Sequence, residues 1–122
     1  MRIPRTLVWV SALIVFLVIT ILSVMPPKSG VEIPGNDKVG HFLAYFTFTV
    51  NCSMLTVNRK QQVSILPILI LYGILIEFLQ GCIPGRMPSG LDVLANSSGV
   101  FIGILAHLLI QNREWLKVGP NN

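Results

Sequence analysis

An uncharged, strongly apolar run from Thr6 to Met25 is the feature that most restricts the possible folds of this chain. Its 20 residues, at about 1.5 Å of helix rise per residue, match the roughly 30 Å hydrocarbon core of a bilayer. A cleaved signal peptide is the alternative, but its apolar region is shorter, and Ser23-Val24-Met25 lacks a small-residue cleavage pattern. We therefore interpret the run as an uncleaved transmembrane helix.

Three more apolar runs follow, and the segments between them carry turn or hinge residues. Pro and Gly punctuate residues 26–36 and 82–90, while Arg59-Lys60-Gln61-Gln62 is a short polar stretch that we interpret as a hinge. The second run is softer in composition, which is typical of a helix packed inside a bundle. The sequence predicts an all-α, four-helix transmembrane bundle as a single domain over residues 1–122, with spans of about 6–25, 38–57, 63–81 and 91–111.

The composition excludes several other classes of protein. Apolar residues make up 52% and charged residues 11%, whereas soluble domains carry about 25% charge. Disordered chains, coiled coils and collagens need far more polar residues. The chain has nine Lys and Arg against five Asp and Glu. Most of the basic residues flank the apolar runs, so they indicate membrane topology, and we predict no nucleic-acid partner.

The basic residues predict an orientation, because cytoplasmic loops of membrane proteins are enriched in Lys and Arg. Six of them fall on one side of the predicted bundle and three on the other: Arg2, Arg5, Arg59, Lys60, Arg113 and Lys117 against Lys28, Lys38 and Arg86. Both termini are therefore predicted in the cytoplasm, and the two Pro/Gly loops outside.

Polar residues of three predicted helices gather near the outer boundary. The second helix carries Asp37, His41 and Tyr45 at spacings of four, which place them on one stripe beside Lys38. The third ends with Glu77 and Gln80, and the fourth begins with Asp92 and Asn96 after the Arg86 loop. Carboxylates within a membrane are costly, so this convergence indicates either mutual partners or a function.

These residues form three motifs that resemble the VanZ-like family of bacterial membrane proteins: Asp37-Lys-Val-Gly-His41-Phe-Leu-Ala-Tyr45, Glu77-Phe-Leu-Gln80, and Arg86-Met-Pro-Ser-Gly-Leu-Asp92-Val-Leu-Ala-Asn96-Ser-Ser-Gly99. The resemblance covers roughly residues 35–105. It implies a multi-pass protein of the bacterial inner membrane that acts in the cell envelope and affects susceptibility to glycopeptide antibiotics such as teicoplanin. It also implies site residues: Asp37, Lys38, His41, Tyr45, Glu77, Gln80, Arg86, Asp92 and Asn96.

Several interpretations of the polar residues remain open. Asn36 or Asp37 can cap the second helix, Ser89 and Asp92 fit a capping box for the fourth, and the charges can form an interhelical ion-pair cluster. Glu77 opposes the dipole at its helix C-terminus, so it is either protonated or paired with Lys38, Arg86 or His41.

Two functional interpretations stand beside these structural ones. The N-termini of the second and fourth helices, with Lys38 and Arg86, suit an anionic lipid or a lipid-linked wall precursor. Alternatively, His41, Glu77 and Asp92 are candidate catalytic residues of a membrane enzyme acting on an outer-leaflet phospholipid or polyprenyl phosphate. The same three residues offer a metal-like ligand set, but the sequence has no HExxH motif and no Cys cluster, so we predict no metal and no cofactor.

Two features away from this cluster complete the predictions. His107 lies 15 residues beyond Asp92, about 22 Å deeper by helix rise, and so belongs to the opposite interface. Gly99 and Gly103 form a small-xxx-small motif, for which packing within the chain is favoured over homodimerisation. The sequence predicts the lipid bilayer as a partner and leaves the oligomeric state open.

Overall fold

The computed structural model describes residues 2–27, 36–113 and 117–120. In chain order the elements are β1 (Ile3–Pro4), α1 (Arg5–Val24), α2 (Asn36–Met54), α3 (Arg59–Gln80), α4 (Gly90–Ile110) and β2 (Val118–Gly119). The prediction of an all-helical chain with four helices is confirmed. Most of the predicted 26–36 loop lies outside the described residues, as do Lys28 and the acidic Glu32 and Glu114.

The boundary between α2 and α3 differs from the prediction. The interpretation of Arg59–Gln62 as a hinge is wrong, because these residues form the first turn of α3. The Asn58 side chain accepts a hydrogen bond from the Gln61 backbone N–H at 2.9 Å, which is the geometry of a helix N-cap. A polar first turn after an Asn cap was therefore mistaken for a connection between helices.

The outer surface of the bundle is apolar in the manner of a membrane protein. Three helices, α1, α3 and α4, are long and apolar enough to cross a bilayer. Large apolar side chains point outward on all three, for example Leu13 at 57% exposure, Phe78 at 71% and Leu109 at 75%. Water would oppose such exposure, whereas lipid accepts it. Together with the apolar composition, these helices identify a membrane protein.

Helix α2 is the least apolar of the four and packs mainly against α4 and α1. Its polar Thr49 and Ser53 are fully buried, as the softer composition of this run predicted. Residues from all four helices form the core next to it: Ile19, Tyr45, Phe48, Leu69 and Val100.

The closest helix packing joins α2 and α4 at two glycines. A Cβ atom on Gly99 would overlap the Phe42 carbonyl oxygen, and one on Gly103 would come within 2.9 Å of Thr49 Cβ. Only glycine allows the two backbones to approach so closely. The small-xxx-small motif therefore packs within the chain, as predicted.

Helix α1 does more than face lipid, because hydroxyl groups connect it to the bundle. Ser11 Oγ donates to Asn51 Oδ1 of α2 at 2.6 Å, and the hydroxyls of Thr20 and Tyr72 of α3 lie 2.8 Å apart. At its start, Ile3 N–H donates to the Lys117 carbonyl at 3.2 Å within the parallel β1–β2 pair. This pairing, which the sequence analysis did not predict, brings the two ends of the chain together.

Candidate functional site

The N-terminal ends of α2 and α4 meet in a polar seam, which we define as Lys38, His41, Asp92 and Asn96. Lys38 Nζ lies 2.9 Å from Asp92 Oδ1 and 3.6 Å from Asp37 Oδ1. The Asp92 side chain is 4% exposed and that of Lys38 33%, so the buried carboxylate is neutralised by an ammonium that reaches in from the edge of the bundle.

The second contact of the polar seam lies one turn deeper. His41 Nδ1 and Asn96 Oδ1 are 2.9 Å apart, and Asn96 is 1% exposed. A carbonyl oxygen only accepts, so the Nδ1 atom carries the proton in this contact. The bond fixes the orientation of the imidazole ring and leaves Nε2 as the nitrogen able to exchange a proton.

Glu77, at the end of α3, has a backbone partner in the next loop. Its Oε1 accepts a hydrogen bond from the Ser89 N–H at 2.9 Å, while Ser89 Oγ accepts from the Asp92 N–H at 3.3 Å. The predicted capping box is therefore half correct: Ser89 caps α4, but Glu77 takes the place that Asp92 was expected to fill. The carboxylate that opposes the dipole of α3 lies at the positive end of α4, which offsets that cost.

The charges of Glu77 and the polar seam are also coupled. Glu77 interacts electrostatically with Asp92 and His41, and its Oε2 is buried without a hydrogen-bond partner among the described residues. Of the partners predicted for Glu77, His41 is thus within electrostatic reach.

A cavity of about 390 Å³ opens on the other side of α2, and we name it the Tyr45 cavity. Its polar walls are formed by Asp37, His41, Tyr45, Gln80 and Arg86, and its apolar walls by Val18, Ile19, Leu22 and Ala44. The sequence predicted that polar residues of the second, third and fourth helices gather here, whereas the described walls of this cavity come from α1, α2, the end of α3 and the Arg86 loop, and none from α4. The α1 side of the cavity is mostly apolar, with Ser23 as its polar residue, so the sequence carried little signal for this wall.

Tyr45 is the most unusual residue of this cavity. It is 1% exposed, yet its hydroxyl has no hydrogen-bond partner in the described part of the chain. The neighbouring Gln80 is also buried, at 5% exposure. A buried polar group that lacks a partner costs about 1–3 kcal/mol, so this hydroxyl is energetically unfavourable as it stands.

Arg86 lines the Tyr45 cavity and also holds the end of α1. Its Nε donates to the Met25 carbonyl at 2.9 Å and its Nη2 to the Leu22 carbonyl at 2.7 Å. The last carbonyls of a helix lack partners within the helix, so the guanidinium satisfies them while adding positive charge where the dipole is negative. Arg86 was predicted to bind an anion, and its hydrogen bonds to the end of α1 were not predicted.

The donor atoms of Asp37, His41 and Asp92 all lie within 4.8 Å of one another, as in some metal sites. The ligand set considered from the sequence was His41, Glu77 and Asp92, whereas the structure groups Asp37 with His41 and Asp92. Lys38 Nζ contacts both carboxylates, so its ammonium already supplies a cation between them. The arrangement therefore holds together as an ion-pair cluster of protein groups.

The nine predicted site residues thus lie at one end of the bundle but serve two different faces of α2. The polar seam faces α4, with Glu77 beside it, and the Tyr45 cavity faces α1 and α3. His41 belongs to both, and Asp37 connects them, because it lines the cavity and pairs with Lys38 of the polar seam.

Comparison with known proteins identifies the family of this chain. A sequence model of the VanZ/LLP1 family matches residues 4–111, a range that contains all four helices. The chain is 29% identical over 112 residues to the uncharacterized protein C11E3.10 of Schizosaccharomyces pombe, covering 88% of this chain and 69% of that protein. No solved structure matches the chain. The helical bundle with its three polar motifs is therefore that of a member of the VanZ/LLP1 family.

Proposed function

We propose that this protein is a four-span protein of the bacterial plasma membrane that binds the headgroup of an envelope lipid in the Tyr45 cavity. Both termini lie in the cytoplasm, as the distribution of basic residues predicts, and the cavity opens at the outer leaflet. The ligand is an anionic lipid or a lipid-linked wall precursor, whose phosphate and hydroxyl groups face the polar walls.

The buried Tyr45 hydroxyl is the observation that carries this proposal. It lies beside a cavity of about 390 Å³, within the usual range of ligand sites, and it has no partner among the described residues. A phosphate or hydroxyl oxygen of the ligand would accept a hydrogen bond from the Tyr45 hydroxyl. The energetic cost of leaving this group unpaired would then be recovered on binding.

The division of the cavity into polar and apolar walls supports a lipid as the ligand. Val18, Ile19 and Leu22 of α1 line one side and suit an acyl or isoprenoid chain that continues into the bilayer. Arg86 and Asp37 on the polar walls have opposite charges, which suits a headgroup carrying both a phosphate and hydrogen-bond donors. A similar protein exists in a fission yeast, so we propose a lipid headgroup with a phosphate as the general ligand. The lipid-linked wall precursor is one case of such a ligand.

We expect the substitution Tyr45→Phe to lower the amount of copurifying lipid at least fivefold. It removes one hydroxyl that has no partner within the described structure, so the melting temperature should be unchanged or slightly raised. Native mass spectrometry of the protein released from nanodiscs measures the bound lipid, and a melting curve measures stability.

Tyr72→Phe is the matched control, because the Tyr72 hydroxyl already bonds with Thr20 at 2.8 Å. Its removal should lower stability by about 1 kcal/mol and leave lipid binding intact. Equal lipid content in wild type and Tyr45→Phe would refute the proposed site. In a host that depends on the protein for reduced glycopeptide susceptibility, only Tyr45→Phe should restore sensitivity to teicoplanin.

The proposed orientation can be tested with Cys82. This cysteine is exposed near the Arg86 loop, whereas Cys52 is partly buried within α2, and both are free thiols. A membrane-impermeant maleimide added to intact cells should label the wild type but not Cys82→Ser. Labelling that requires permeabilised cells would place this end of the bundle in the cytoplasm.

A second candidate function is a membrane enzyme that hydrolyses a phosphate ester of the same kind of lipid. The orientation of His41 by Asn96, next to the cavity, favours this candidate, because a fixed imidazole is suited to act as a base toward water. Glu77 and Asp92 would then position and support the histidine. The Glu77 substitutions described in the Discussion separate this candidate from a purely structural cluster.

A further inference from the structure

A second polar cavity, of about 380 Å³, lies at the opposite end of the bundle from the Tyr45 cavity. We name it the His107 cavity. Its walls come from the start of the chain, the α2–α3 connection, the last turns of α4 and the segment around β2. Its charged and polar lining residues are Arg2, Arg5, Thr56, His107, Gln111 and Lys117.

The fold brings these basic residues together from both ends of the chain. The β1–β2 pair sets Ile3 beside Val118, which places Arg2 and Lys117 at the same edge. The Arg5 Nη2 donates to the Leu55 carbonyl at 3.1 Å and is thereby held against the connection that follows α2. The arginines are therefore positioned by the fold.

The described lining of the His107 cavity carries basic side chains. Its described lining residues include two arginines and a lysine, and none of them is Asp or Glu. Arg2 and Arg5 supply the positive charge at this recess. Like charges gathered around one recess repel each other, and an anion in that recess would turn repulsion into attraction.

His107 provides the second, independent indication of a ligand. It is 8% exposed and lines the cavity, yet its Nδ1 is buried without a hydrogen-bond partner in the described residues. An imidazole nitrogen is a strong hydrogen-bonding group, and burying it unpaired is costly. The structure thus combines positive charge with an unsatisfied buried polar group at the same recess.

We propose that the His107 cavity binds a phosphate group. The phosphate belongs to the headgroup of an anionic lipid in the adjacent leaflet or to a small soluble phosphate ester; both offer the same charge and the same acceptor oxygens. In the predicted orientation this end faces the cytoplasm, where the leaflet is rich in anionic lipids. The site is separate from the Tyr45 cavity and does not depend on the function proposed for it.

The experiment measures phosphate binding by the full-length protein in nanodiscs. Inorganic phosphate and glycerol 3-phosphate are titrated in phosphatidylcholine nanodiscs, and thermal stabilisation by phosphatidylglycerol is compared with that by pure phosphatidylcholine. A response to the soluble probes identifies a soluble ester as a ligand, and a response to phosphatidylglycerol alone identifies the lipid. The absence of both responses would overturn the proposal.

Charge substitutions localise the response. We expect Arg2→Gln combined with Arg5→Gln to weaken binding at least tenfold. The matched control is Arg59→Gln with Lys60→Gln, which removes two exposed positive charges near the same end but outside the cavity, and should change binding less than twofold. Equal losses of phosphate binding in the two double variants would show that the effect comes from general surface charge, and would refute the site.

Two single variants guard against loss of folding. Arg5→Gln also removes the bond to Leu55, so Arg2→Gln alone and His107→Asn alone are measured as well. Each should weaken binding at least threefold while the melting temperature in phosphatidylcholine stays within a few degrees of the wild type. Normal phosphate binding by both would overturn the proposal.

Discussion

Replacing Gly99 by Ala is expected to abolish accumulation of the folded protein in the membrane. The added Cβ would overlap the carbonyl oxygen of Phe42 and approach Phe46 N at 3.0 Å and Tyr45 Cβ at 3.2 Å. Two of these neighbours are backbone atoms of α2, which can move only by separating the two helices. We expect a loss of about 3 kcal/mol or more, the upper range for overpacking in a core.

Gly90→Ala is the matched control for this prediction. Gly90 lies on the same helix, and a Cβ there meets nothing within 4 Å. Its effect on stability should stay within about 0.5 kcal/mol, as is usual for surface substitutions. Fluorescence-detected size-exclusion chromatography and melting curves in detergent measure both variants. Similar behaviour of the two would contradict close packing of α2 against α4.

Replacing Glu77 by Leu is expected to destabilise the protein by about 1–3 kcal/mol, because the Ser89 N–H loses its acceptor inside the bundle. Glu77→Gln keeps a carbonyl oxygen at the same position. It should therefore restore most of the stability, although it removes the negative charge. Thermal melting of both variants in the same detergent tests this order.

The two Glu77 variants also distinguish the role of the residue. In a structural cluster, Glu77→Gln behaves like the wild type in every assay. In an enzyme that needs the carboxylate, Glu77→Gln folds normally but loses its effect on the envelope lipid, because an amide cannot take up a proton as a carboxylate does. A Glu77→Gln protein as unstable as Glu77→Leu would mean that charge, and not the bond to Ser89, holds this end of α4.

The hydrophobic pattern predicted the helices well but failed at a boundary that depends on polar atoms. The spans 6–25 and 91–111 lie within one residue of α1 and α4 at both ends. The third helix begins four residues before the predicted position 63, since Asn58 caps a first turn made of polar residues. Apolar periodicity cannot detect such a turn, whereas the Asn cap could have indicated it.

The polar residues show a similar division between what could be predicted and what could not. Spacings of four along α2 and the direction of each helix were enough to place the polar residues at one depth. The sequence offered no means of identifying the partner of Glu77, because that partner is a backbone N–H, whose position depends on the conformation of the α3–α4 loop. The bond to Ser89 became visible only once the α3–α4 loop had a conformation.

The sequence by itself determined that this chain enters a membrane, that it forms four helices, and that the polar residues of its three motifs gather at one end, because these properties follow from local hydrophobicity and helical spacing. Only the tertiary structure decided which face of α2 each neighbour covers, that α1 walls the Tyr45 cavity, and that Arg2 and Arg5 join His107 at the other end. Those arrangements depend on how closely helices approach at Gly99 and Gly103 and on a short pairing between distant segments. The spacing of the two glycines predicted a close approach, but the helix face that they meet and the pairing of β1 with β2 are set by three-dimensional packing, which leaves no periodic signal along the chain.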